Sequence, residues 1–141
     1  MIRSSRFAMV AVTTAAMIAL AAPSAWAGSP HFVGAPTLSR SGDTLTVSAK
    51  EAGLGDEAQI NVTLSATALC INGGGKHPSA TNKESLASNA VVPVQNGKAD
   101  YTLSVTASFS PPCSPPMTVE FTDVKLADTT NNLTVSFPGT F

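Results

Sequence analysis

Through most of the chain, apolar and polar side chains alternate. Between Ala58 and Cys70, residues Ile60, Val62, Leu64, Ala66 and Ala68 take every second position, and Gln59, Asn61, Thr63, Ser65 and Thr67 lie between them. That period buries one face of a pleated strand and wets the other, so this stretch predicts a central strand ending at one of the two cysteines. Thr44 to Lys50 repeats the pattern with Leu45, Val47 and Ala49 inward, and Ala99 to Ala107 does so with Tyr101, Leu103 and Val105. Leu133, Val135 and Phe137 predict a last strand. None of these runs carries a helical period.

Glycine and proline set the limits of the strands. Phe32 to Ser39 predicts a first strand interrupted by Pro36, which suits a sheet edge because proline donates no ladder bond. Ser41-Gly42-Asp43, Ala52 to Asp56 and Asp128 to Asn132 predict reversals. Asn96-Gly97, between a strand near Leu86 to Val94 and its return from Ala99, predicts a tight hairpin, since both central residues of a type I′ turn need positive φ. In Thr118 to Ala127, Val119 and Phe121 have one parity and Val124 and Leu126 the other. A bulge near Thr122-Asp123 would return both pairs to one face. Ile71 to Ser85, with three glycines, and Ser108 to Pro116, SFSPPCSPP, predict loops. About seven strands with closely spaced turns predict an all-β, immunoglobulin-like antiparallel β-sandwich, with a closed barrel as the alternative.

If every connection reverses the chain, alternate loops gather at opposite poles. The turn at Gly42, the loop Ile71 to Ser85 and the loop Ser108 to Pro116 share one pole; Ala52 to Glu57, Asn96-Gly97 and Asp128 to Asn132 share the other. Cys70 and Cys113 then meet at the same pole, which predicts a single disulfide closing 43 residues.

Residues 1–27 change the setting. Arg3 and Arg6 precede an uncharged run from Phe7 to Ala22, followed by Pro23 and the small-x-small triplet Ala25-Trp26-Ala27. This is the pattern of a cleaved secretory signal peptide, and it makes 28–141 a single secreted domain with no membrane span after removal. Removal takes the only tryptophan and two of the eight basic residues, leaving six against nine acids, a net charge of −3. That balance argues against nucleic-acid or polybasic membrane binding. An oxidising compartment favours the Cys70–Cys113 bridge.

Candidate chemistry is sparse. Asn72-Gly73-Gly74-Gly75-Lys76 lacks the spacing of a phosphate loop, and His77 follows where Ser or Thr belongs. His31 and His77 form no zinc-ligand pair, and His77 with Ser79 or Ser85 in a glycine-rich loop is not a held nucleophile and base. Glu51, Asp56, Glu57 and Asp128, with Asn131 and Asn132 nearby, collect at the pole away from the disulfide. They lack calcium-loop spacing and predict a solvated acidic rim. Asn61-Val62-Thr63 and Asn132-Leu133-Thr134 fit the glycosylation pattern, which matters only in a eukaryotic source. No catalytic residue, cofactor or metal ligand is assigned.

The segments HFVGAPTLS, KEAGLGDEAQI, CINGGGKHPSATNKES, VQNGKADYTL and SPPCSPPMTVEFTDV resemble a group of small exported actinobacterial proteins to which no activity is attached. The resemblance implies a bacterial, extracellular setting and the same single bridge, and carries over no functional residue. The expectation is a non-enzymatic binding or envelope-associated module. Its contact surface is the disulfide pole, with Asn72, Lys76, His77, Asn82 and Lys83 as candidate residues and an extracellular or cell-envelope partner. The alternatives are a secreted hydrolase or hydrolase inhibitor, or a passive structural component of the outer envelope.

Overall fold

A computed structural model of the chain describes residues 28–72 and 82–141. Eight strands follow one another: β1 His31–Phe32, β2 Thr37–Ser41, β3 Thr44–Ala52, β4 Gln59–Ile71, β5 Lys83–Pro93, β6 Ala99–Thr106, β7 Thr118–Asp128 and β8 Leu133–Phe137. They form two antiparallel sheets. In the first, β3 is central; β6 lies on one edge, and β1 and β2 share the other. In the second, the order is β5-β4-β7-β8. The all-β sandwich expected from the alternation is therefore present, with seven lateral positions filled by eight strands. The extra strand comes from Pro36. The first edge strand breaks between Phe32 and Thr37 at Gly34, which has φ 73°, and both halves pair with β3.

The central role of Ala58 to Cys70 holds: β4 pairs with β5 from Gln59↔Pro93 to Leu69↔Lys83 and with β7 from Val62↔Asp128 to Ile71↔Thr118. The bulge also falls where the parity change requires it. Between the pairs Ser65↔Lys125 and Thr67↔Thr122, β7 has one residue more than β4, and Asp123 takes φ 51°. Val119, Phe121, Val124 and Leu126 are all buried as a result. At the hairpin, Asn96 and Gly97 have φ 52° and 71°, and Gln95 and Lys98 exchange backbone bonds of 2.9 and 3.0 Å.

Two boundaries differ from expectation. Ile71 belongs to β4, and β5 begins at Lys83, so the connection between them is 72–82. Lys83 through Ser85 pair in register with Leu69 through Thr67, and neighbouring strand pairing overrides the weak local strand propensity of Lys-Glu-Ser.

Leu45 and Val47 of β3, Leu103 and Val105 of β6, Ile60, Val62 and Leu64 of β4, and Phe121, Val124 and Leu126 of β7 form the core between the sheets. Small residues fill the rest, among them Ala49, Ala66, Ala68, Ala99 and Ala107. Arg40 of β2 clips one side shut. Its guanidinium donates to the carbonyl oxygens of Gly42, Val119 and Phe141 at 2.9, 2.5 and 2.8 Å and lies 5.4 Å from the centre of the Phe121 ring. Among the described residues no helix is long and apolar enough to cross a membrane.

Candidate functional site

The disulfide joins Cys70 to Cys113, with Cα atoms 5.8 Å apart. Cys70 is the last inward residue of β4, and Cys113 lies in the proline-rich connection 107–117. The bridge thus fastens an irregular segment to the end of the most extensively paired strand. Other bonds hold the segment at its base. Ala107 N–H donates to the Asp43 carbonyl at 2.8 Å, and Ser108 N–H donates to the Glu84 carboxylate at 2.9 Å. Met117 N–H closes a turn onto Ser114 O at 2.9 Å. The Met117 sulfur sits 3.7 Å from Cys70 Sγ, a packing contact because a bridged cysteine has no proton to give.

Asn72, which follows β4, and Lys83, which begins β5, are exposed, and Asn82 is half-buried. Lys83 is strand-held rather than a loop residue. Lys76 and His77 lie outside the described residues. Two open grooves among the described residues lie elsewhere. One of about 550 Å³ lies over the break in the first edge strand, lined by Val33, Ala35, Thr37, Lys50, Asp100 and Thr102 among others. Another of about 560 Å³ lies at the opposite pole, beside Gly53, Asp56, Glu57 and Lys98. The outer face of the first sheet is a hydroxyl ladder: Thr44–Thr106, Thr46–Ser104 and Ser48–Thr102 bond across the strands at 2.8–2.9 Å.

The pole opposite the disulfide corrects the expected acidic rim. Glu51 is 1% and Asp128 0% exposed, so two of the four acids are buried rather than solvated. Tyr101 O–H donates to Glu51 Oε1, while Oε2 has no partner. Asp128 Oδ1 accepts from the backbone N–H groups of Thr130 and Asn131 at 2.8 and 3.3 Å, and Oδ2 from the Asn131 amide at 2.7 Å. The same amide reaches Glu57 Oε2 at 3.0 Å. Burial pushes the Glu51 carboxyl up to about 7; the Tyr101 bond opposes this, and Asp128, within hydrogen-bond reach, reinforces it, as does the charge of Glu57. Tyr101 is raised as well, chiefly by burial and then by Glu51.

Gly53 fixes the turn above this cluster. It takes φ 74°, and a Cβ there would run into the Ser29 carbonyl oxygen, so only glycine fits. Leu54 N–H then donates to Gly97 O at 3.0 Å, tying this turn to the hairpin.

The alternation contained the signal for the buried acids. Glu51 continues the inward parity of Leu45, Val47 and Ala49, and Asp128 continues that of Val124 and Leu126. Their charge had argued for solvent, but strand geometry decides. Among the described residues no group of three or more His, Cys, Asp or Glu side chains is placed to hold a metal ion. No protein-family model, curated protein or solved structure matches the chain.

Proposed function

We propose that the chain is a secreted, non-enzymatic binding module of immunoglobulin-like architecture that engages an extracellular or cell-envelope partner through its disulfide pole. The carrying observation is the staple. Cys113 and the Glu84 bond to Ser108 fix the 107–117 segment against the ends of β4 and β5, the two strands that the glycine-rich stretch of the sequence connects. A preorganised loop loses less entropy on binding than a free one. The pattern of residues 1–27 and the disulfide support export, in the setting implied by the resemblance to small exported actinobacterial proteins.

The strand order supports the architectural reading. Lettered A to G, with β1 and β2 together as A, the sheets read A-B-E and D-C-F-G. An immunoglobulin constant-type sandwich differs by placing D on E. The bridge joins a strand end to a loop rather than strands B and F, consistent with a core that lacks the tryptophan packed on that disulfide.

The test is retention of cell-envelope and culture fractions on the immobilised mature domain, intact and after reduction and alkylation. Retention by the intact protein should fall at least tenfold on reduction and in a Lys76→Ala/His77→Ala/Lys83→Ala variant. A saturable partner held equally by all three proteins would refute the assignment of this pole.

A further inference from the structure

Glu51 is the buried group that the proposed binding surface does not use. It projects from β3 of the first sheet, and Asp128 ends β7 of the second, so the pair joins the sheets at the pole farthest from the disulfide. Asp128 already accepts three N–H bonds and has none to offer. Glu51 has one donor, Tyr101, on Oε1, and a buried Oε2 with nothing to accept. A proton on Oε2 removes the shortfall at once: the orphan acceptor becomes a donor within reach of Asp128, and one of two buried like charges disappears.

We infer that Glu51 holds a proton on Oε2 directed at the Asp128 carboxylate across the sandwich, and that losing it loosens this pole while the disulfide holds the other. The surroundings leave Glu51 no substitute counter-charge. β6 contributes Tyr101 and the 53–58 turn Glu57, whose carboxylate engages Asn131. β1 sets Phe32 opposite Glu51, while His31 directs Nδ1 to Ser29 O at 2.8 Å. The turn following β7 offers the neutral side chains of Thr129, Thr130 and Asn131. An ionised Glu51 therefore faces carboxylates and a phenol. The parts free to respond are the 53–58 turn, held by Leu54 N–H on Gly97 O, and the 129–132 turn, held by Thr129 N–H on Asn61 O at 2.9 Å. The device makes the domain tighter in mildly acidic surroundings than in alkaline ones.

The experiment is carboxyl-carbon NMR titration of the mature domain, together with amide hydrogen exchange at Leu54 and Thr129 from pH 5.5 to 8.5. The expected result is a Glu51 midpoint near neutrality and protection at both amides that falls with pH, after correction for intrinsic exchange. Over this range a folded value of about 7 against 4.5 in the unfolded chain limits the fall to about 30-fold. Amides near the disulfide, such as Ile71 and Thr118, should not follow. Glu51→Gln keeps the shape and a donor for Asp128, so its Leu54 and Thr129 protection should no longer depend on pH. A Glu51 midpoint at the ordinary glutamate value, or the same pH-dependent loss in Glu51→Gln, would overturn the inference. The wild-type titration decides the matter even if the variant does not fold, and neither readout depends on the binding partner.

Discussion

A single carboxyl couples the sandwich to pH because its surroundings favour the neutral form. The folded-state value for Glu51 lies above the unfolded one, about 7 against 4.5, so folding takes up a proton between them. The stability linked to this proton is fully present below about 4.5 and lost as pH rises through about 7, amounting to on the order of 3 kcal/mol. Urea melts at pH 5 and pH 8 should show the domain weaker at pH 8. Tyr101→Phe should destabilise by about 1–3 kcal/mol by leaving Oε1 without its donor. The tyrosine bond favours the charged form of Glu51, so the same substitution should move the pH-dependent loss upward. This site was half legible in the sequence. Parity places Tyr101 inward and, carried one step further along β3 and β7, does the same for Glu51 and Asp128, but their charge points to a solvated rim, and no spacing rule says that β3, β6 and β7 bring them together, since the Glu51–Tyr101 contact spans 50 residues.

At the level of elements, the bulge in β7 sets the register. Side chains alternate with period two, so one residue more or less turns a strand's apolar set to solvent. Asp123 supplies the odd residue in a left-handed conformation uncommon outside glycine and asparagine or aspartate. Deleting it should turn either Val119 and Phe121 or Val124 and Leu126 outward and abolish the cooperative transition in circular dichroism. Asp123→Gly should leave the fold intact and change stability by no more than about 1 kcal/mol. Strands were legible wherever Thr or Ser separated apolar residues, as in β3, β4 and β6. The start of β5 was not, because Lys83-Glu84-Ser85 are strand residues only by virtue of Leu69, Ala68 and Thr67 beside them. The clip made by Arg40 was equally hidden, since its acceptors Val119 and Phe141 lie 79 and 101 residues away.

Across the whole molecule, unlike fastenings hold the two poles: a covalent bond at one end and a protonated carboxyl among polar turns at the other. In the chain-entropy model, closing a loop of 43 residues stabilises the fold by about 4 kcal/mol. A Cys70→Ser/Cys113→Ser variant should lose stability of that order in urea, with the far pole keeping its pH response. Loop parity predicted which ends would meet, because antiparallel neighbours leave no choice of pole. It was silent on what the poles contain, and Lys76 and His77 stay outside the described residues.

The pairing of Phe141 with Phe121 leads to one more consequence. Below the bulge β8 no longer covers β7, and the last residue returns to exchange two backbone bonds with Phe121, at 2.9 and 3.0 Å, under the Arg40 guanidinium. Trimming residues 138–141 would bare ladder groups beside an aromatic ring, the kind of edge that recruits another copy. The shortened chain should therefore self-associate in sedimentation experiments at concentrations where the full one stays monodisperse, which gives Pro138-Gly139-Thr140-Phe141 a protective role against aggregation.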